Sequence, residues 1–142
     1  MANDRWYESL ESTIYTLVNF RTKRDLEGKT SKPIKFTTIG ENNASPYFPT
    51  VYLHELQPAE YGEDLEGSSV NALMVTMECI VYSRDKQECK LIVNEVVHQM
   101  KRLHFSVTAM PIMSTADNIH SGIARFRRIV GSSDADLVNQ DN

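Results

Sequence analysis

Val70-Asn71-Ala72-Leu73-Met74-Val75-Thr76-Met77-Glu78-Cys79-Ile80-Val81-Tyr82-Ser83 decides how the rest of the chain is read. Leu73, Val75, Met77, Cys79 and Val81 recur at every second position, the side-chain period of an extended strand. The alternate positions mix Met74, Ile80 and Tyr82 with Thr76 and Glu78, so the second face is only half apolar. One greasy face and one mixed face describe a sheet covered on a single side. The run also exceeds the usual strand of about 5–6 residues, so it is expected to project beyond its neighbours or to bend.

Downstream, the period changes. Cys89, Ile92, Val93, Val96, Met100 and Leu103 form an apolar stripe at helical spacing, predicting a helix over about Asp85 to Leu103. Asp85 and Glu88 resemble a capping pair at its start. Phe105 to Met110 then reads as a strand that stops at Pro111, and a polar link through Thr115, Asp117 and Asn118 leads to a last strand, Gly122 to Val130. Strand, helix and strand in this order can form a parallel pair through a right-handed crossover.

Upstream, Trp6, Leu10, Ile14, Leu17 and Val18 share a helical face over about Asp4 to Asp25. Asn3 or Asp4 can cap that helix and Gly28 can stop it. The stretch Arg21 to Lys35 holds six Lys or Arg residues against Asp25 and Glu27. Short strands are expected at Ile34–Ile39 and Pro49–His54, separated by the turn-rich Gly40–Pro46. Glu55 to Glu66 has no basic residue, and Pro58 and Gly62 mark it as a loop. The sum is an α+β domain: one mixed, mostly antiparallel sheet of about five strands, with two main helices packed on one face. Residues 1–131 are expected to form this single domain, and 132–142 an acidic, disordered tail.

Composition sets the functional bounds. With 142 residues, 41% hydrophobic and 24% charged, the balance is that of a globular chain with one core. A net charge of -4 argues against a dedicated nucleic-acid binder. Met1 to Arg5 shows no apolar leader and no stretch is apolar enough for a spanning helix, so a soluble protein made in the cytoplasm is expected, with no membrane partner. Cys79 and Cys89, ten positions apart, match no zinc or CxxC pattern and are expected to be reduced and buried. A disulfide between them would require an oxidising environment.

The motifs of catalysis are missing from the sequence. His54, His98, His104 and His120 form no HExxH or i,i+4 pair, and there is no P-loop, GxGxxG or GxSxG. Glu63, Asp64 and Glu66 can be drawn as an acid/base pair, but a solvated acidic loop accounts for them more simply. No catalytic residue, cofactor or metal is therefore expected. The last strand stands out instead. Arg125 and Arg127 share a face with Ile123 and Ile129, while Phe126 and Arg128 take the other. Such charge either protects an edge strand or serves an interface. In the second reading, Arg125, Arg127 and Arg128 meet Glu55, Glu60, Glu63, Asp64 and Glu66 of a neighbouring copy, a head-to-tail contact that closes into a ring.

The order of these elements resembles the tail-terminator (tail completion, head-tail joining) proteins of long-tailed, siphovirus-type bacteriophages. The resemblance runs from Trp6 to Gly131. It is carried by the first helix, Tyr47-Phe48-Pro49-Thr50-Val51-Tyr52-Leu53, the acidic segment and Ile80-Val81-Tyr82-Ser83. Met100-Lys101-Arg102-Leu103-His104-Phe105 and Ala124-Arg125-Phe126-Arg127-Arg128-Ile129-Val130 complete it. The chain departs from the pattern at His104, where such proteins often place a glycine before the aromatic residue. The resemblance implies a non-enzymatic virion protein at the head-proximal end of the tail. It implies a hexameric ring that caps the tail tube, ends its polymerisation and offers the surface that joins the head. Its partners would be the major tail-tube protein and a head-completion or neck protein, with DNA passing through the ring without specific binding. A neck adaptor and a small ligand-binding α+β domain are the alternatives.

Overall fold

The computed structural model describes residues 6–38, 47–63, 70–131 and 133–134. A 3-10 turn, Trp6–Ser9, leads into helix α1 (Leu10–Asp25). Strands β1 (Lys35–Thr37), β2 (Thr50–Glu63) and β3 (Val70–Ser83) come next, then helix α2 (Lys86–Arg102) and strands β4 (Ser106–Ala116) and β5 (Ile119–Gly131). The strands form one sheet in the order β1-β2-β3-β5-β4. β1 and β2 are parallel and every other pairing is antiparallel. This is the expected α+β architecture, with both helices against one side of a mixed sheet.

Of the two stripes read from the sequence, the described side chains are buried, Leu17 only partly. Leu10, Ile14 and Val18 of α1 and Cys89, Ile92, Val93, Val96 and Met100 of α2 meet Leu53, Val75, Met77, Cys79, Val81, Ala124 and Phe126 of the sheet. Gly122 lets β5 approach α2, since a Cβ there would lie 3.0 Å from Met113 Sδ and 3.4 Å from Val93 Cγ1. Both cysteines are free thiols in this core, as expected. No helix among the described residues is long and apolar enough to cross a membrane.

Three boundaries and one connection differ from the sequence expectation. The segment expected as a loop from Glu55 continues β2 as far as Glu63. Its pairing with β3 absorbs Pro58 and Gly62 by shifts of register between Leu56 and Ala59 and on either side of Gly62. Such irregularities are where a ladder tolerates proline and glycine. Likewise β4 does not stop at Pro111. It runs on to Ala116 because it is an edge strand, and its register with β5 shifts between Ala109 and Ile112. The crossover expectation also fails: β3 and β4 point the same way but are not neighbours. Asp117 and Asn118, both at positive φ (53° and 66°), close a two-residue hairpin that lays β5 between them. At the start, the α-helix proper begins at Leu10, while the proposed caps Asn3 and Asp4 lie outside the described residues. So do Gly40–Pro46 and, apart from 133–134, the tail expected over 132–142.

Helix α2 is held at both ends. Asp85 caps its start, accepting from the Gln87 and Glu88 N–H groups. Glu88 does not return the bond as in a capping box. It accepts from Ser83 Oγ at 2.7 Å and from the Ser31 N–H at 2.6 Å, tying the α1–β1 link to the start of α2. At the other end the His104 N–H donates to Lys101 O and the Phe105 N–H to Met100 O, the two bonds of a Schellman turn. His104 occupies its left-handed position at φ 67°.

Candidate interface on the open sheet face

Among the described residues, no helix or further strand layer covers the face of the sheet away from the helices. Alternation sends Gly122, Ala124, Phe126 and Val130 of β5 under the helices and leaves Ile123, Arg125, Arg127 and Ile129 outside. Register aligns His54 of β2, Glu78 of β3 and Arg125 of β5 across this face. His54 Nε2 lies 2.7 Å from Glu78 Oε1, and Arg125 Nε donates to Glu78 Oε2 at 2.9 Å. The Tyr52 ring stacks on His54 with centroids 4.1 Å apart. Burial pushes the Glu78 carboxyl up, but the bonds from His54 and Arg125 outweigh it and hold the group below its usual range. Around this row, Ile129 is 45% exposed, and Ile112 and Met110 on β4 are 66% and 67% exposed.

The sequence-predicted interface residues part company here. Arg125 is engaged inside its own chain by Glu78. Arg128 points to the helix side, where Nη1 donates to Leu103 O at 2.7 Å and Nη2 lies 3.5 Å from Asp134 Oδ2. A guanidinium at the carbonyl end of α2 complements the helix dipole. Arg127 faces outward and lines an open cleft of about 600 Å³ with Met74, His104, Ser106, Arg128 and Ile129.

Among the acidic candidates, Glu55 pairs with Met77 and so lies on the helix side, opposite Arg125 and Arg127. Its N–H donates to Glu11 Oε2 at 2.9 Å. Burial, helped by the nearby Glu11 charge, pushes the Glu55 carboxyl up to about 7. Glu60 and Glu63 are carried by the far end of β2, in register with Leu73 and Val70. Asp64 and Glu66 lie outside the described residues.

His54 and Glu78 are the residues that sequence reasoning did not single out. Their signal was a carboxylate on the mixed face of β3. Among the described residues, no group of three or more His, Cys, Asp or Glu is placed to hold a metal ion.

No family model matches the chain. A search of curated protein sequences likewise finds no significant match.

Proposed function

We propose that this protein is a ring-forming structural subunit of the tail-terminator type, associating through its open sheet face. The observation that carries the reading is that face. Among the described residues, one side of the five-stranded sheet is left without a covering layer, with Ile129 exposed beside Arg127 and Ile112 exposed opposite Ile123. Burying an ordinary patch of about 800 Å² per partner, at roughly 25 cal/mol per Å² of its apolar part, gives a second copy ample driving force before association entropy is subtracted. The occupant that charge favours is the acidic stretch of a neighbouring copy, Glu60, Glu63, Asp64 and Glu66, which begins at the far end of β2. Two different patches meeting in this way make a head-to-tail contact, the kind that closes a ring.

The left-handed backbone at His104 also supports the resemblance, since it explains why a glycine suits the family pattern at that place. The test is sizing with light scattering, then imaging, with and without tail tubes. A closed ring of six 16.2 kDa chains, or rings seated on tube ends, is the expected result. A monomer at every concentration, with tubes present, refutes the reading. A neck adaptor would form a ring as well, and labelling the subunit in assembled particles separates the two by position.

A further inference from the structure

The geometry points to a second binding surface on the helical side of the molecule, a groove that takes an unpaired stretch of nucleic acid. The groove has a volume of about 660 Å³ and, among the described residues, is built from the second half of α1 and the link to β1. Phe20, Lys23 and Arg24 line it from the helix, and Thr30, Ser31 and Lys32 from the link. None of its described lining residues comes from β2 to β5, so the inference stands apart from the open-face reading.

Three observations carry it. First, charge is sorted: Arg21 to Lys35 holds six basic residues against two acidic ones in a chain whose net charge is -4. A basic stretch in an acidic chain concentrates positive potential locally. Second, the cations are set against aromatic rings. The Arg24 guanidinium lies 5.8 Å from the Phe20 ring centre, Lys23 Nζ 5.8 Å from that of Phe36 and Lys32 Nζ 6.0 Å from that of Tyr47. Phe20 itself is 63% exposed, a large apolar ring displayed beside the charge. An exposed ring framed by cations is what a base-stacking platform with phosphate contacts requires. Third, the lip is fixed. Thr30 Oγ1 donates to Lys32 O at 2.7 Å, and the Ser31 N–H is held by Glu88 of α2 at 2.6 Å.

Helix electrostatics alone do not account for the arrangement. Lys23 and Arg24 sit in the last turn of α1, where cations offset the helix dipole. Lys32 belongs to the link, and Phe20 gains nothing from a dipole. The acidic residues nearby are Glu27, which lines the groove, Asp25, which is bonded to Arg24 at 3.0 Å and to Gln99 Nε2 at 2.8 Å, Glu95, which also accepts from Gln99, and Glu88, whose carboxylate is taken up by Ser31 and Ser83. With Arg24 engaged by Asp25, Lys23 and Lys32 are left for about two phosphates, with one base on Phe20.

The experiment is fluorescence polarisation of the full chain with labelled oligothymidylate, oligouridylate, an abasic strand and a duplex, all about 12 nucleotides long. Saturable binding of an oligomer is expected, with a log–log salt slope of about -1.4, the value for two phosphates on a single strand. The tighter of the two oligomers identifies DNA or RNA as the source. Lys23→Glu with Lys32→Glu should weaken binding at least tenfold, while Phe20→Ala should abolish the preference for base-bearing over abasic strand. Arg127→Glu, on the other face, should leave binding unchanged. No saturable binding at about 50 mM salt, equal binding to strand and duplex, or undiminished binding by the folded double variant would each overturn the inference. Ring formation is read separately by sizing.

Discussion

Glu78 Oε2 accepts from Arg125 Nε at 2.9 Å across the β3–β5 ladder, so one of the arginines proposed for the interface already has a partner at home. The same carboxylate takes His54 on its other oxygen. Reversing Arg125 therefore places two carboxylates side by side and leaves half of Glu78 without its donor. Arg125→Glu is expected to cost about 1–2 kcal/mol of stability, the upper part of the pair's worth being lost to solvent screening. Arg127→Glu, at a solvent-facing position, is expected to leave stability within about 0.5 kcal/mol and to weaken self-association. Urea titration and sizing on both variants check this. Equal loss of stability in the two, or normal assembly by Arg127→Glu, contradicts the account.

Glu55 predicts a pH dependence of stability. Its carboxyl is pushed up to about 7, by burial first and by the Glu11 charge second. The folded state therefore prefers the neutral acid. The stability this contributes is fully present below the usual carboxylate value and is lost as pH rises through about 7. Glu55→Gln should accordingly gain about 1–2 kcal/mol at pH 8 and flatten the curve between pH 5 and 8. Denaturation midpoints of the two proteins across that range give the answer, and parallel curves would rule the mechanism out.

His104 predicts a gain from a single substitution. A β-carbon at φ 67° is strained in the Schellman turn that ends α2, and glycine is free of that cost. His104→Gly is expected to stabilise by about 0.5–1 kcal/mol. Thermal unfolding should show a midpoint a few degrees higher. A lower midpoint would mean that the imidazole makes a contact worth more than the strain.

The thiols should be silent until the fold opens. Cys79 and Cys89 are both buried, and burial raises both above the ordinary thiol range, Cys89 up to about 11. Cys89 Sγ also donates weakly to Val81 O and His120 O. A thiol reagent at pH 8 is expected to react with neither in the native state and with both in denaturant, at the unfolding rate. Fast native labelling would show that the core admits solvent.

What was legible in the sequence depended on how local the physics is. The buried face of β3, the stripe of α2 and the split of β5 into an arginine side and a phenylalanine side rest on periods of two and of three to four residues. Each is visible within a few turns of chain. The extension of β2 past Glu55 and of β4 past Pro111 was not legible, because proline and glycine read as breaks. Only the partner strand reveals that a register shift accommodates them. The His54–Glu78–Arg125 row was hidden for a stronger reason. It needs three strands aligned at one register, and nothing near His54 announces Glu78, 24 positions away. Glu55 was misplaced by the same ignorance, being grouped with its acidic neighbours although pleating turns it to the helix side.

The two rims of the sheet are unequal. One is β1, only Lys35–Thr37, and the other is β4, where Pro111 lacks the N–H that a further strand would need. Copies of this chain are thereby discouraged from zipping side by side into fibrils, and any self-recognition is diverted to broad surfaces that saturate. A molecule furnished with such blunt margins favours finite assemblies over endless ones.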